Sequence, residues 1–314
     1  MNATTPNNPR NCPVCQSSQH TVPYAERKID ESRLSSFSFA SRKLPEYMHH
    51  TLKLCRNCDL LFAIPDPSLN LHAAYESAAY DSNTEAVFAA ATYHRILQPV
   101  LNKIPHKTRL LDIGAGDGAF LNEMLSVGFT ELIGLEPSSA PVHAAHPNVR
   151  NCLRMEMFRE GLFEPNSFSL ITCFQTIEHV PDPLALCIEA QKLLKPGGLL
   201  AIIAHNRNGL LNRILGRKSP IFDIEHLQLF SPPSLHKLLE KAGFQNISAR
   251  PFRNTYPLAY WARLFPFPTP VKEPLLRILR ATAGNIPVSL PVGNLLCVAS
   301  RAPLPPPRPG TSAS

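Results

Sequence analysis

Between residues 109 and 205, short apolar runs alternate with stretches of helical spacing. RLLDIG (109–114), ELIGLE (131–136), FSLITCF (168–174) and LLAIIAH (199–205) predict buried strands. AFLNEMLSVGF (119–129) and PLALCIEAQKLLK (183–195) predict helices, stopped at Gly128 and at Pro196-Gly197-Gly198. Strands alternating with helices of this length imply a doubly wound, Rossmann-like α/β fold whose mostly parallel sheet is covered on both faces. Downstream, 235–244 reads as a helix ended at Gly243, and 245–253 and 294–301 as the last two strands. Residues 70–104 read as helical. The expected division is a small N-terminal module (1–68), a helical linker or lid (69–104), the sheet domain (105–301) and a proline-rich disordered tail (302–314). Within the sheet domain, 206–293 is expected as an acceptor-side insertion and lid.

Composition narrows the class. The chain has 314 residues, 44% hydrophobic and 18% charged, which excludes wholesale disorder. No apolar run approaches the ~18 residues of a membrane helix. The polar start MNATTPNNPR holds no apolar signal core, so a cytoplasmic protein is expected. The formal charge of +7 is uneven: residues 81–205 carry −4 and residues 206–314 carry +10.

The run LLDIGAGDG places Gly114, Gly116 and Gly118 between a strand and a helix. Glycines there let backbone approach a ligand, and the helix start favours negative charge. Twenty residues after Gly116, Glu136 closes the next strand, where an acid accepts from the ribose hydroxyls of an adenosine. Gly114, Gly116 and Ala119 also satisfy a dinucleotide fingerprint, so a nicotinamide-dependent oxidoreductase stays open. Asp112 favours the other cofactor. An acid just before the turn would repel a pyrophosphate, but suits a ligand with an ammonium and a sulfonium, S-adenosylmethionine.

The segments LLDIGAGDG (110–118), IGLEPS (133–138), FQTIEHVPDP (174–183), LLKPGGLL (193–200) and EHLQLFSPPSLHKLLEKAGF (225–244) resemble the class I S-adenosylmethionine-dependent methyltransferases, in that family's order. They look most like a bacterial subgroup with an N-terminal cysteine-bearing segment, whose members modify sugars, lipids or small metabolites. The resemblance implies seven strands with an antiparallel last strand. It implies that Asp112, Gly114, Gly116 and Gly118 cradle the methionine end and that Glu136 holds the ribose. It places Glu160 near the adenine amino group, with Phe174 and Gln175 lining the donor pocket. Ser169 stands where an aspartate is usual, affecting a strand-start hydrogen bond.

Methyl transfer from a sulfonium is an in-line displacement, and it requires alignment, exclusion of water and often removal of one proton. His179 is the first base candidate. It lies at the C-terminal end of a strand, and an imidazole titrates near neutrality. The competing reading is that Glu178 and His179 cap the following turn. His205 and His226 are further candidates, each also explicable as structural. Some quinone-pathway relatives carry a glutamate at the position of Gln175 and use the cluster for a divalent ion; glutamine here argues against that arrangement.

Two CxxC pairs, Cys12 with Cys15 and Cys55 with Cys58, offer four thiolates for structural zinc, although the 39 residues between them exceed the ~15–20 of compact ribbons. His49 and His50 could replace a cysteine, and reduced surface thiols are the bland alternative. Tyr75 and Tyr80 follow this module, as helix packing or as a cover over the donor.

The basic third holds GLLNRILGRKSPIF (209–222), read as a basic amphipathic helix, and the aromatic stretch 255–280. It is open to three readings: a solvated charged face, a peripheral membrane contact, or a pocket for an anionic or lipid-linked substrate. Nucleic acid is not expected, because the cysteine-bearing end is nearly neutral and the motifs of base-amino and cytosine C5 methylation are missing. RNA methylation remains a minor alternative, as does a catalytically silent binding protein. The expected function is methylation, at oxygen or carbon, of a small acceptor such as a sugar, lipid-linked or polyketide-like metabolite.

Overall fold

The computed structural model describes residues 10–34, 38, 47–69, 80, 84–265 and 267–303. Tyr75, most of the tail and the first part of the 70–104 stretch lie outside these residues.

A small antiparallel sheet comes first, from β1 (Thr21–Ala25), β2 (Thr51–Cys55) and β3 (Leu60–Ile64). Helix α1 (Thr84–Leu101) leads to the main domain. There β4 (Arg109–Ile113), α2 (Ala119–Met124), β5 (Glu131–Leu135), α3 (Ser139–Ala144), α4 (Pro147–Arg150), β6 (Leu153–Arg154) and β7 (Phe168–Phe174) follow one another. Next come α5 (Pro183–Leu193), β8 (Leu194–His205), α6 (Leu210–Leu215), β9 (Gln228–Leu229) and α7 (Pro232–Lys241). The chain closes with β10 (Gln245–Pro257), α8 (Leu258–Leu264), α9 (Thr269–Ala281) and β11 (Pro287–Ser300).

The large sheet has seven strands in the order β10-β11-β8-β7-β4-β5-β6. β6, β5, β4, β7 and β8 run parallel, and β11 is antiparallel to both its neighbours, as expected. Successive residues feed opposite faces. Leu111, Ile171 and Ile202 pack into one core with Leu186, Leu193, Leu235 and Leu239 of α5 and α7. Leu110, Leu170 and Ile203 pack into the other with Leu97, Phe120 and Met124 of α1 and α2. This two-sided burial is why the strands read as unbroken apolar runs.

Several boundaries move. α7 starts at Pro232, earlier than expected, because Ser231 and Ser234 form a capping box. The predicted amphipathic helix 209–222 is α-helical only over Leu210–Leu215, ended at Gly216 with φ +53. β10 and β11 extend beyond 253 and before 294, and their lengthened hairpin carries α8 and α9. The stretch 206–293 thus includes α7 and β10 of the framework. Ser169, where an aspartate is usual, still makes a strand-start hydrogen bond, its hydroxyl accepting from the Thr108 amide at 3.1 Å.

The two sheets are joined by β9. Leu229 and Gln228, from the main domain, pair with Leu61 and Phe62 and complete the small sheet. The Arg10 guanidinium seals this seam. It donates to the carbonyls of Ala63 (3.0 Å), Leu227 (3.2 Å) and Pro181 (2.7 Å) and to Oε1 of Gln228 (2.9 Å). Asp59 adds a second seam, ion-paired to Arg207 and accepting from Asn208 Nδ2 at 2.7 Å. Arg10→Ala is expected to lower unfolding free energy by about 2–3 kcal/mol, the scale of charged hydrogen bonds lost from a half-buried seam. Urea denaturation measures it; a change under about 0.5 kcal/mol, the range of ordinary surface substitutions, would refute the seam.

Candidate functional site

A cavity of about 1470 Å³ opens at the carboxyl ends of β4, β5, β7 and β8. Open parallel sheets bind ligands there, because the crossovers leave a crevice where strand order reverses. The volume exceeds the ~300–1,000 Å³ of a typical one-ligand pocket, so two ligands fit side by side.

One end is the glycine turn. Gly114, Gly116 and Gly118 all adopt positive φ. At Gly114 the constraint is also steric, since a Cβ would stand 2.1 Å from Thr176 Oγ1. Glu136 locks the turn: its Oε2 accepts from the Gly116 amide at 3.0 Å and its Oε1 from the Ser138 amide at 2.9 Å. Burial raises the Glu136 pKa, and those two amides oppose the rise. Asp112 lies behind the turn, fully buried, with one oxygen accepting from Thr172 Oγ1 at 2.7 Å. Burial pushes its pKa up to about 7, against the Thr172 bond and with help from the nearby Glu136 charge.

Phe174 stands edge-on to Tyr93 and Phe120, with centroids 5.1 and 4.8 Å apart. Gln175 takes φ +50, an uncommon conformation for a residue with a side chain. Its Nε2 is buried without a hydrogen-bond partner among the described residues. Glu160 lies at the rim, largely exposed and ion-paired with Lys192 at 2.7 Å. Tyr80 donates to Asp117 Oδ2 at 2.5 Å, next to the glycine turn. Asp117, inside the quoted motif, had not been singled out as a site residue.

The other end holds the histidines. His179 and His226 have ring centroids 5.0 Å apart, and His205 and His226 5.1 Å. All three line the cavity, so candidates scattered over 48 positions of sequence form one cluster. Nδ1 of His226 lies 2.9 Å from the Ile221 carbonyl, and Nδ1 of His179 lies 3.1 Å from the Glu225 carbonyl. A carbonyl only accepts, so both Nδ1 atoms carry the proton and, in the neutral rings, both Nε2 atoms keep a lone pair. Glu225 sits between them, its carboxylate oxygens 4.0 Å from His179 Nδ1 and from His226 Nε2. Glu225 was not among the expected site residues. His205 is more enclosed; burial lowers its pKa to about 4, and its Nδ1 meets Asn294 Oδ1 at 3.0 Å. Glu178 turns inward, with Oε1 accepting from the His205 amide at 2.6 Å. It therefore ties the loop after β7 to the end of β8.

Aromatic residues wall part of the cavity. Tyr256 lies tilted against Tyr260 (4.4 Å) and edge-on to Trp261 (5.2 Å), and Trp261 Nε1 donates to the Val288 carbonyl at 2.8 Å. Several cations of the basic third serve the fold. Arg207 pairs with Asp59, Arg263 with Glu85, and Arg250 donates to the Ile96 carbonyl.

The four cysteines of the small module converge. Cys12 and Cys58 sulfurs lie 3.5 Å apart, and Cys15 and Cys55 sulfurs 3.7 Å. All four are free thiols within 4.8 Å of one another. A tetrahedron with Zn–S near 2.3 Å has edges of about 3.8 Å, so these spacings fit zinc. His49 and His50 stand outside the group. His49 Nδ1 bonds to the His50 carbonyl, and His50 Nδ1 accepts from the Asp66 amide.

A family model described as a methyltransferase domain matches residues 80–249, more than half of the chain. The chain belongs to this family, the class I S-adenosylmethionine-dependent methyltransferases. The ubiquinone biosynthesis O-methyltransferase of Neisseria meningitidis is 36% identical to this methyltransferase over 109 residues, 32% of this chain and 45% of that enzyme. The enzyme of the same description from Vibrio cholerae is 28% identical over 168 residues, 48% of this chain and 68% of that one. The alignment thus spans under half of the first relative's length. Among solved structures, a methyltransferase from Thermotoga maritima described as a possible histamine N-methyltransferase aligns over 69% of this chain and 91% of its own, with 20% identity and a TM-score of 0.46.

Proposed function

We propose that this protein transfers a methyl group from S-adenosylmethionine to a hydroxyl of a bulky, largely apolar small molecule. The carrying observation is that one cavity joins the glycine turn to the histidine cluster. The residues fit the donor. The glycine turn, open at Gly116 with Asp112 buried behind it, suits the methionine end, Glu136 suits ribose hydroxyls, and Gln175 Nε2, without a partner among the described residues, suits a carboxylate. When bound, the donor supplies a methyl on a positively charged sulfur; the acceptor oxygen bonds to that carbon as the S–C bond breaks and its electron pair returns to sulfur.

The protein's task is to place the acceptor and take its proton. His179 accepts that proton at Nε2. Its Nδ1–H is anchored on the Glu225 carbonyl, and the Glu225 carboxylate stabilises the imidazolium that forms. The aromatic wall of Tyr256, Tyr260 and Trp261 supports an acceptor with extended apolar surface. Exposed Leu210 and Ile214 on α6 continue this character outward and suit an acceptor with an apolar tail. The relatives' printed activity, O-methylation in ubiquinone biosynthesis, agrees in class.

We also read the four-cysteine cluster as structural zinc. Protein purified without chelator should carry about one zinc per chain; under about half an equivalent would refute this.

The acceptor reading is tested with donor carrying a labelled methyl, incubated with protein and cell extract. Label is expected in a small organic-extractable product. His179→Ala should keep donor affinity within about twofold and cut transfer by ~10²–10⁴-fold, the usual worth of a positioned base. Near-normal transfer by that variant removes His179 from the mechanism. Label only in RNA or protein overturns the small-molecule assignment.

A further inference from the structure

We infer that Asn254 determines which acceptors enter the cavity, its side-chain oxygen taking a hydrogen bond from a second hydroxyl of the acceptor, remote from the one that is methylated. The inference rests on the reading of this protein as a methyltransferase of small hydroxylated molecules. It narrows that class to acceptors with a hydroxyl at each end of an apolar body.

Asn254 lies on β10, and it lines the cavity together with Phe252 and Tyr256, two residues before and two after it. It is 3% exposed, and its Oδ1 has no hydrogen-bond partner among the described residues. Three other asparagines lining the cavity have their side-chain oxygens engaged within the fold. Asn206 Oδ1 accepts from the Asn208 amide, Asn212 Oδ1 accepts from Ser219 Oγ, and Asn294 Oδ1 meets His205 Nδ1.

The setting of Asn254 is apolar. Its cross-strand partner is Leu290. Tyr256 belongs to the buried cluster of Tyr93, Phe174 and Trp261, and Phe252 and Leu290 pack against it. A leucine would fill such a place without leaving a polar atom unpaired, and an unpaired buried oxygen costs stability. The register of β10 and β11 slips between Phe252 and Asn254, an irregularity of the kind that re-aims side chains beside ligand sites.

The chemistry of the orphan selects its partner. A side-chain oxygen only accepts, so the ligand must donate. A hydroxyl is the group that serves the carboxamide in either orientation, since it donates to Oδ1 and accepts from Nδ2. His205, Asn294 and Phe252 are successive cross-strand partners in β8, β11 and β10. With neighbouring strands about 4.8 Å apart, Asn254 stands on the order of 10 Å from His205, which calls for an acceptor of at least two rings. A site built to bond a hydroxyl discriminates strongly against the analogue lacking it, because the protein atom is then left unpaired.

The test uses full-length protein with its donor half filled by S-adenosylhomocysteine. Two probes are compared by titration calorimetry: biphenyl with a hydroxyl at both ends, and biphenyl with a hydroxyl at one end. Trp261 is the single tryptophan of the chain and lines the cavity, so a change in its emission confirms where the probes sit. The parent protein is expected to bind the two-hydroxyl probe at least about tenfold more tightly. Asn254→Leu should bring the two affinities within about twofold, with a melting temperature equal to or above the parent's. Asn254→Ala, which leaves more room, should lose the preference too. Equal binding of the two probes by the parent, a preference that survives in both variants, or no binding of either probe overturns the proposal. The labelled-methyl assay is read separately. Transfer into extract without probe discrimination leaves the function standing and removes this role of Asn254; discrimination without transfer keeps the subsite and removes the function.

Discussion

The site depends on one short piece of β-pairing. β9 contributes only Gln228 and Leu229 to the edge of the small sheet, yet this pairing sets where Glu225 and His226 stand. The same segment then bonds back to the Glu178 carbonyl, next to His179. The small sheet and the large sheet are therefore two jaws, and the segment between them carries Glu225 and His226, one of the three clustered histidines. Arg10 and Asp59 add charge-assisted bonds across the seam, and Ser231 reinforces it by donating to the Asp59 carbonyl at 3.0 Å. Lys241 of α7 donates to the Cys15 carbonyl at 3.1 Å, so the cysteine cluster itself is fastened to the main domain.

This arrangement gives the N-terminal module a purpose beyond stability. Its sulfurs share the α5/α7 core with Phe62, Phe230 and Leu235. Cys55 ends β2, β2 pairs with β3, and β3 pairs with β9, which begins two residues after His226. The glycine turn lies on the other side of β7 and needs none of this. Its geometry comes from positive φ angles, Glu136 and the close approach of Thr176. The glycine turn and the histidine cluster therefore have separate supports within one cavity.

Much of the fold was legible because strands buried on both faces are apolar at most positions, with Asp112, Ser169 and Thr172 as buried polar exceptions. The glycine turn was legible for a similar reason: only glycine tolerates its backbone, and the spacing to Glu136 follows from one strand-helix-strand unit. The three histidines could be picked out one by one from their places after strands. Their convergence could not, since it depends on a two-residue strand with no periodic signal, paired to a partner far away in sequence. Glu225 was hidden for that reason, although it sits beside His226. The basic charge of the last third misled in part, because Arg207, Arg250 and Arg263 are spent on contacts inside the fold.

The claim that the cysteine module holds the acceptor site while leaving the donor site alone is tested most directly by Cys55→Ser. Donor binding by calorimetry and labelled-methyl transfer into extract are measured on the same preparation. Donor affinity within about twofold of the parent and transfer reduced at least about tenfold are expected, as when the supports of a site are loosened. Unchanged transfer, or donor affinity lost together with transfer, would contradict it.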